Sequence, residues 1–167
     1  IRYEETPNGN IYGNMISDGT RTYTWEHGRQ LKTTTIGGQT WTYTYDSEGM
    51  RAGRSNGSTA YTYVYNGSRL SLMKVGSNVL QFIYSGTGAP VAVIYNGTYY
   101  YYVTNIQGDV TAILNSSGVP VVTYIYDAWG NLTTSGTMAS TLGTHNPLRY
   151  RGYVYDQEIG LYYLQSR

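Results

Sequence analysis

Cysteine is absent from this chain, so the sequence has no disulfide framework and no thiolate metal site. Charged residues make up only 13% of it, and the formal net charge of +1 comes from 11 basic and 10 acidic residues scattered singly. Because there is no basic stripe, we expect no nucleic-acid partner. No apolar run approaches the roughly 18 residues that a membrane helix needs, so no membrane span is expected.

Alanine, leucine, glutamate and lysine are too scarce for a coiled coil or a helical repeat. The 167 residues instead include 21 Tyr and 21 Gly against a single Phe. A disordered chain would be poor in aromatic and β-branched residues. Tyrosine, threonine, valine and isoleucine suit a pleated, half-buried surface, so the composition indicates β-structure.

One strand position recurs about every twenty residues, which is typical of stacked supersecondary units. It is aromatic at Trp25, Tyr45, Tyr65, Tyr84, Tyr126 and Tyr155, and Thr104 takes the one non-aromatic place in the series. Alternation puts Trp41, Tyr43 and Tyr45 on one strand face. The sequence therefore predicts an all-β fold, in which consecutive antiparallel hairpins of about 20 residues form a long twisted, curling sheet.

Turns rich in Asp, Asn and Gly follow most of these aromatic residues, and Asn-Gly or Gly-Gly pairs link one unit to the next. We assign a structural role to the recurring aromatic, Asp and Gly positions. These are Trp25, Gly28, Tyr45, Asp46, Gly49, Tyr65, Gly67, Tyr84, Tyr126, Asp127, Gly130, Tyr155, Asp156 and Gly160.

The rhythm breaks after residue 133, where the sequence becomes small and polar. We interpret residues 1–134 as hairpin repeats, 135–147 as a loop, and 148–167 as a distinct terminal unit that is truncated. The chain opens and closes inside its pattern, so we expect it to be part of a longer polypeptide.

The motif Tyr126-Asp127-Ala128-Trp129-Gly130-Asn131-Leu132 resembles the YD repeat of the Rhs family of large bacterial proteins. Residues 149–164, which read RYRGYVYDQEIGLYYL, are similar to the start of the Rhs repeat-associated core domain. The resemblance implies a secreted or cell-surface protein whose β-sheet spirals into a shell around a toxic C-terminal domain. This chain would supply an arc of the wall, with flanking repeats and the enclosed domain as its partners.

In some family members the core domain cleaves itself, using aspartate and segments that contain Asp-Pro. This chain has no Asp-Pro step, so the resemblance implies a structural module, not an enzyme. A remnant autoprotease is the alternative that the terminal unit alone motivates.

Other chemistry has weaker support. Asp46, Asp127 and Asp156 could suggest paired glycosidase carboxylates, but all three occupy the same turn position, where Asp caps the backbone. His27 and His145 lack further metal ligands at useful spacing. We therefore expect no catalytic residue, no cofactor and no metal.

Exposed aromatic ladders provide the alternative function. Sugar rings stack on aromatic faces, so a carbohydrate or cell-surface ligand could bind at Trp25, Trp41 or Trp129. Packing of these rings across strands is the structural explanation. Unpaired strand edges would also favour an edge-strand dimer of the isolated chain.

Overall fold

The fold is known from a computed structural model that describes residues 1–5, 11–127 and 131–164. The prediction of an all-β fold is confirmed: the main sheet has 14 strands, and their order follows the chain without a crossover. The chain divides into two compact units, one of Ile1–Tyr63 and one that begins at Val64.

The first unit contains short strands joined by tight turns. Its strands are β1 (Arg2–Glu5), β2 (Ile11–Ser17), β3 (Arg21–Glu26), β4 (Gln30–Ile36), β5 (Gln39–Tyr45) and β6 (Arg51–Ser55), and β7 (Ala60–Asn66) begins in it. Residues alternate between the two faces, as the sequence predicts. In β5, Trp41 and Tyr43 are buried while Thr40, Thr42 and Thr44 are exposed.

The second unit continues the hairpin series and adds the terminal elements. Its strands are β8 (Arg69–Val75), β9 (Asn78–Tyr84), β10 (Pro90–Tyr95), β11 (Thr98–Thr104), β12 (Val110–Leu114), β13 (Pro120–Tyr126), β14 (Leu132–Ser135), β15 (Val154–Asp156) and β16 (Leu161–Tyr163). Leu80, Val93, Val110, Ile113 and Val122 are fully buried in its core. β15 and β16 form a separate two-stranded sheet.

The segment predicted as a loop over residues 135–147 contains one turn of π-helix, Ala139–Gly143. Gly136 brings the chain close to β13, because an added Cβ at Gly136 would collide with the carbonyl of Val121. Met138 then donates its main-chain N–H to that same carbonyl at 2.9 Å. This helical turn is therefore packed against the sheet. A 3₁₀ turn, Tyr150–Gly152, precedes β15.

Within the described ranges, no helix has the length and apolar character needed to cross a membrane. The same ranges hold no cluster of three or more His, Asp or Glu side chains suited to a metal ion.

Candidate functional site

The hairpin turns are built on a five-residue pattern in which the first side chain caps the turn. In the turn of Asp46, Oδ1 accepts the main-chain N–H groups of Glu48 at 3.0 Å and Met50 at 2.9 Å. Asn105 and Asn115 accept two N–H groups in the same way, and Asp127 accepts that of Asn131. Asp46 and Asp127 are thus engaged as turn caps.

Glycine closes this turn because the backbone there enters the left-handed region. Gly49 has φ 80°, and Gly108 and Gly118 of the equivalent turns have φ 87° and 76°. The expected positions Gly28, Gly67 and Gly160 also have positive φ. Gly130 and Trp129 lie outside the described residues.

Three of the recurring tyrosines bind the main chain of the preceding hairpin through their hydroxyls. Tyr45 donates to the carbonyl of Leu31 at 2.8 Å, and Tyr84 donates to that of Leu70 at 2.8 Å. Tyr126 donates to that of Val110 at 2.9 Å. We call these three contacts the inter-hairpin hydroxyl bonds. In β3, the indole Nε1 of Trp25 donates similarly to the carbonyl of Met15 at 2.8 Å.

β-Bulges explain why two of these carbonyls, those of Leu31 and Val110, need a donor. Leu31 pairs with Trp25, but the neighbouring pair joins Thr24 to Thr33, so β4 carries one extra residue. Val110 sits at the same kind of bulge opposite Thr104. A bulge interrupts the ladder and leaves backbone groups unpaired, and a buried carbonyl requires a partner. Tyrosine, unlike phenylalanine, provides the required donor.

Burial raises the pKa of two of these hydroxyls. It raises the pKa of Tyr84 to about 12, and it raises the pKa of Tyr126 still further above its ordinary value. Both hydroxyls are therefore hydrogen-bond donors well into the alkaline range. These three bonds join β5 to β4, β9 to β8 and β13 to β12 by a side chain as well as by the strand ladder.

In the first unit, aromatic rings pack with two buried arginines. The guanidinium carbon of Arg54 lies 4.5 Å from the ring centre of Trp41 and 3.8 Å from that of Tyr61. Arg51 lies 4.8 Å from the ring centre of Tyr63. Trp41 is only 1% exposed, so the structure corrects its assignment as a glycan-stacking residue: its ring faces are already covered. Cross-strand packing is the explanation that holds for this residue.

In the second unit, residues 136–163 fold back onto the hairpins; we call them the terminal segment. Asn146 is fully buried and accepts the hydroxyl of Tyr102 at 2.6 Å. Its Nδ2 donates to the carbonyl of Leu148 at 2.8 Å and to the hydroxyl of Tyr124 at 3.3 Å. Tyr124 in turn donates to the carbonyl of Gly143 at 2.9 Å. Side chains from β11 and β13 thus hold the terminal segment.

Arg149 is the second centre of this network and is only 1% exposed. Its guanidinium donates to the carbonyls of Asn146 (3.2 Å), Gly143 (2.9 Å) and Thr144 (3.4 Å). It also lies 4.6 Å from the ring centre of Tyr155. A buried cation is stable only where its donors are satisfied, so Arg149 organises the chain around it.

Asp109, in the β11–β12 turn, forms a hydrogen bond with the terminal segment. Its Oδ1 accepts the main-chain N–H of Arg151 at 3.0 Å, and its Oδ2 accepts Nδ2 of Asn105 at 2.8 Å. Beside it, Val110 donates its main-chain N–H to the carbonyl of Arg149 at 2.8 Å. Arg151 has φ 50°, a conformation that tertiary contacts must hold in place. The equivalent turn positions carry Met50, Ala89, Val119 and Asn131, so a carboxylate is specific to this turn.

His145 and Tyr95 make a further contact between the terminal segment and β10. Nδ1 of His145 lies 3.0 Å from the hydroxyl of Tyr95, which donates to Oδ1 of Asn78 at 3.0 Å. Burial lowers the pKa of His145, and the charge of Glu158 partly opposes this effect. His145 is therefore a packing residue, and sequence reasoning missed its role.

The terminal aspartate differs from the other turn aspartates. Asp156 is 2% exposed, and its main-chain carbonyl accepts the N–H of Gly160 at 2.8 Å. Tyr155 packs against Tyr162 with ring centres 4.8 Å apart. These residues belong to the β15–β16 hairpin.

No protein-family model matches the chain. Over 162 residues it is 39% identical to the tRNA3(Ser)-specific nuclease WapA of Bacillus spizizenii and to the tRNA nuclease WapA of Bacillus subtilis. It is 40% identical to the tRNA(Glu)-specific nuclease WapA of Bacillus subtilis subsp. natto. Each alignment covers 93% of this chain but 7% of the relative, so the chain spans a small part of these proteins.

Among solved structures, the fold resembles the Photorhabdus luminescens Tc holotoxin pore, with a TM-score of 0.63 at 18% identity. That match covers 95% of this chain and 8% of the other. A crystal structure of TcdB2-TccC3 matches with a TM-score of 0.61 at 18% identity, over 87% of this chain and 8% of the other. Both matches extend over most of the described hairpins and show that the chain shares the fold of these proteins. Its similarity to WapA, its fold and its YD-type motif support the resemblance to the Rhs/YD-repeat family.

Proposed function

We propose that this chain is a structural module in the β-shell of a secreted Rhs-type toxin, where it encloses or presents a C-terminal toxic domain. The inter-hairpin hydroxyl bonds are the observation that carries the proposal. They stabilise a stack of hairpins that can be extended in either direction. Each of the three hydroxyls already donates its proton to a main-chain carbonyl, which is a structural use of the tyrosine. The tRNA nuclease activity named for the WapA proteins would belong to another part of such a polypeptide.

The terminal segment supports the same role. Its network of Asn146, Arg149 and Asp109 fixes the chain on the sheet after the last repeat. A polypeptide that continues beyond it would leave from a defined place on the wall. The module would then determine where the following domain begins.

Protease accessibility tests this function. In a polypeptide where the chain is flanked by its neighbouring repeats and a C-terminal domain, we expect that domain to resist proteolysis. The double variant Tyr84→Phe/Tyr126→Phe lacks two of the inter-hairpin hydroxyl bonds, so its sheet should be less stable and its C-terminal domain should be cut faster. The matched control is Tyr101→Phe, because Tyr101 is 45% exposed on the opposite face. A C-terminal domain cut as fast in the intact protein as in isolation would contradict enclosure.

A carbohydrate-binding role is the second candidate, and exposed tyrosines favour it. Tyr99 is 52% and Tyr101 45% exposed, and they lie two residues apart on one face of β11. Trp25 is partly buried and its indole N–H is already bonded, so these tyrosines present the better stacking surface. Titration with mixed oligosaccharides, followed by tyrosine fluorescence, should respond in the wild type and not in Tyr99→Ala/Tyr101→Ala. Identical titrations for both proteins would exclude this role.

A further inference from the structure

Three Asn-Gly pairs lie in the described part of the chain: Asn56-Gly57, Asn66-Gly67 and Asn96-Gly97. In such a pair, the unhindered peptide nitrogen of glycine can attack the side-chain carbonyl of asparagine. The reaction needs a free rotation of the asparagine side chain and an available glycine N–H. The three asparagine side chains differ in their hydrogen bonds, although the dipeptide sequence is the same.

Asn96 is held on three sides. Its main-chain N–H donates to the carbonyl of Val79 at 2.9 Å. Its Oδ1 accepts the N–H of Val79 at 2.8 Å, and its Nδ2 donates to Oδ1 of Asn78 at 2.9 Å. The side chain cannot swing towards Gly97 without breaking the last two bonds.

The side chain of Asn56 is also held by hydrogen bonds, and so is the peptide nitrogen of Gly57 that would attack it. Its Oδ1 accepts the N–H groups of Ser58 at 3.0 Å and Thr59 at 2.7 Å. The N–H of Gly57 donates to Oγ of Ser55 at 3.1 Å. Both the electrophile and the nucleophile are therefore engaged.

Asn66 is different. It is the exposed last residue of β7, and its side chain makes no hydrogen bond within residues 1–5, 11–127 and 131–164. Gly67, at φ 59°, has open space around its Cα. The side chain of Asn66 is thus free to rotate towards the peptide nitrogen of Gly67.

We propose that Asn66 is a site of spontaneous deamidation, at which the chain acquires an aspartate or an isoaspartate. The peptide nitrogen of Gly67 loses its proton and bonds to Cγ of Asn66, the Cγ–Nδ2 bond breaks, and ammonia leaves. Water then opens the resulting cyclic imide at one of its two carbonyls. Opening at one carbonyl gives aspartate and opening at the other gives the β-linked isomer, and no oxidant or other reactant is needed.

The product changes the hairpin in two ways. Either isomer places a negative charge beside Gly67, and the isoaspartate adds a backbone atom at the end of β7. An extra backbone atom shifts the alternation of side chains beyond it. Asn66 would thereby become a slow, irreversible marker of the age of the folded protein.

Peptide mapping of the 167-residue chain, aged in mildly alkaline buffer, tests this proposal, with electron-transfer fragmentation to distinguish the isomers. We expect position 66 to react about tenfold or more faster than positions 56 and 96, because two or more net-favourable hydrogen bonds must break at each of the latter. Asn78→Ala removes the acceptor of Asn96 Nδ2 and should accelerate only position 96. Asn66→Gln is the negative control.

The same chain unfolded in urea provides the decisive comparison. Without structure, the three sites should react at similar rates. Equal rates at 66 and 96 in the folded chain would overturn the proposal. So would the same ranking in urea, because the local sequence, and not the fold, would then set the rates.

Discussion

The buried amide of Asn146 permits a test with a nearly isosteric change, Asn146→Asp. In the wild type, Nδ2 donates to the carbonyl of Leu148 at 2.8 Å and to the hydroxyl of Tyr124 at 3.3 Å. A carboxylate oxygen in that place cannot donate, and it would face the Leu148 carbonyl. The substitution therefore buries a charge and creates an oxygen–oxygen repulsion without altering the volume.

The expected destabilisation of the terminal segment is about 2–4 kcal/mol at neutral pH. An uncompensated buried charge costs about 3–5 kcal/mol, and the nearby cation of Arg149 should lessen that cost. Such a penalty corresponds to a folded-state pKa for the introduced carboxyl of roughly 5.5–7, against about 3.9 in the unfolded chain. Because this pKa is raised by folding, the neutral acid is tolerated below the unfolded value, and stability is lost as the pH rises through the folded value.

Hydrogen exchange of the amides of Asn146 and Tyr155 measures this effect, since both donate to carbonyls of the terminal segment. Asn115→Asp is the matched control, because Asp46 and Asp127 fill the same turn position in sister hairpins. We expect faster exchange in Asn146→Asp at neutral pH, recovery on acidification, and no change in the control. Equal protection in both variants, or a defect that grows with acid, would refute the reasoning.

Three further changes test other parts of the fold. Tyr84→Phe should cost about 1–2 kcal/mol in urea denaturation, since it leaves the carbonyl of Leu70 without its donor, while Tyr101→Phe should be neutral. His145→Gln should flatten the loss of stability below about pH 6.5, because burial lowers the folded-state pKa of His145 and the unfolded chain binds the proton first. Asp18→Asn should remove part of the loss of stability below about pH 4. The hydroxyl hydrogen bond from Tyr23 is the main reason that the pKa of Asp18 lies well below its ordinary range in the folded chain. Thermal melts between neutral pH and about pH 2 measure the effect, and the same decrease in melting temperature with acid in both proteins would contradict it.

The sequence predicts the parts of this fold that depend on local chemistry. Asp46 and Gly49 identify their turn because the cap and the positive φ lie within five residues of each other. Alternation in β5 identifies the buried face through Trp41 and Tyr43. These features need no knowledge of which strands pair.

Features that depend on long-range contacts cannot be predicted from the sequence. The bond from Tyr45 to Leu31 requires the strand register and the position of the bulge. From the sequence alone, Arg149 would be predicted to lie on the surface. Its three carbonyl acceptors come together only when the π-helical turn has formed. Burial of Asn146 also depends on Tyr102, which is 44 residues away in the chain.

The interruption of the aromatic series at Thr104 follows from the docking of the terminal segment. Thr104 lies two residues from Tyr102 in β11 and therefore on the same face, and the hydroxyl of Tyr102 binds Asn146 of the terminal segment. Thr104 also pairs with Val110, whose main-chain N–H donates to the carbonyl of Arg149. A large aromatic ring at position 104 would occupy the face that this segment covers. The one non-aromatic position thus lies beside Tyr102 and Val110, the two residues through which β11 and β12 bind the terminal segment.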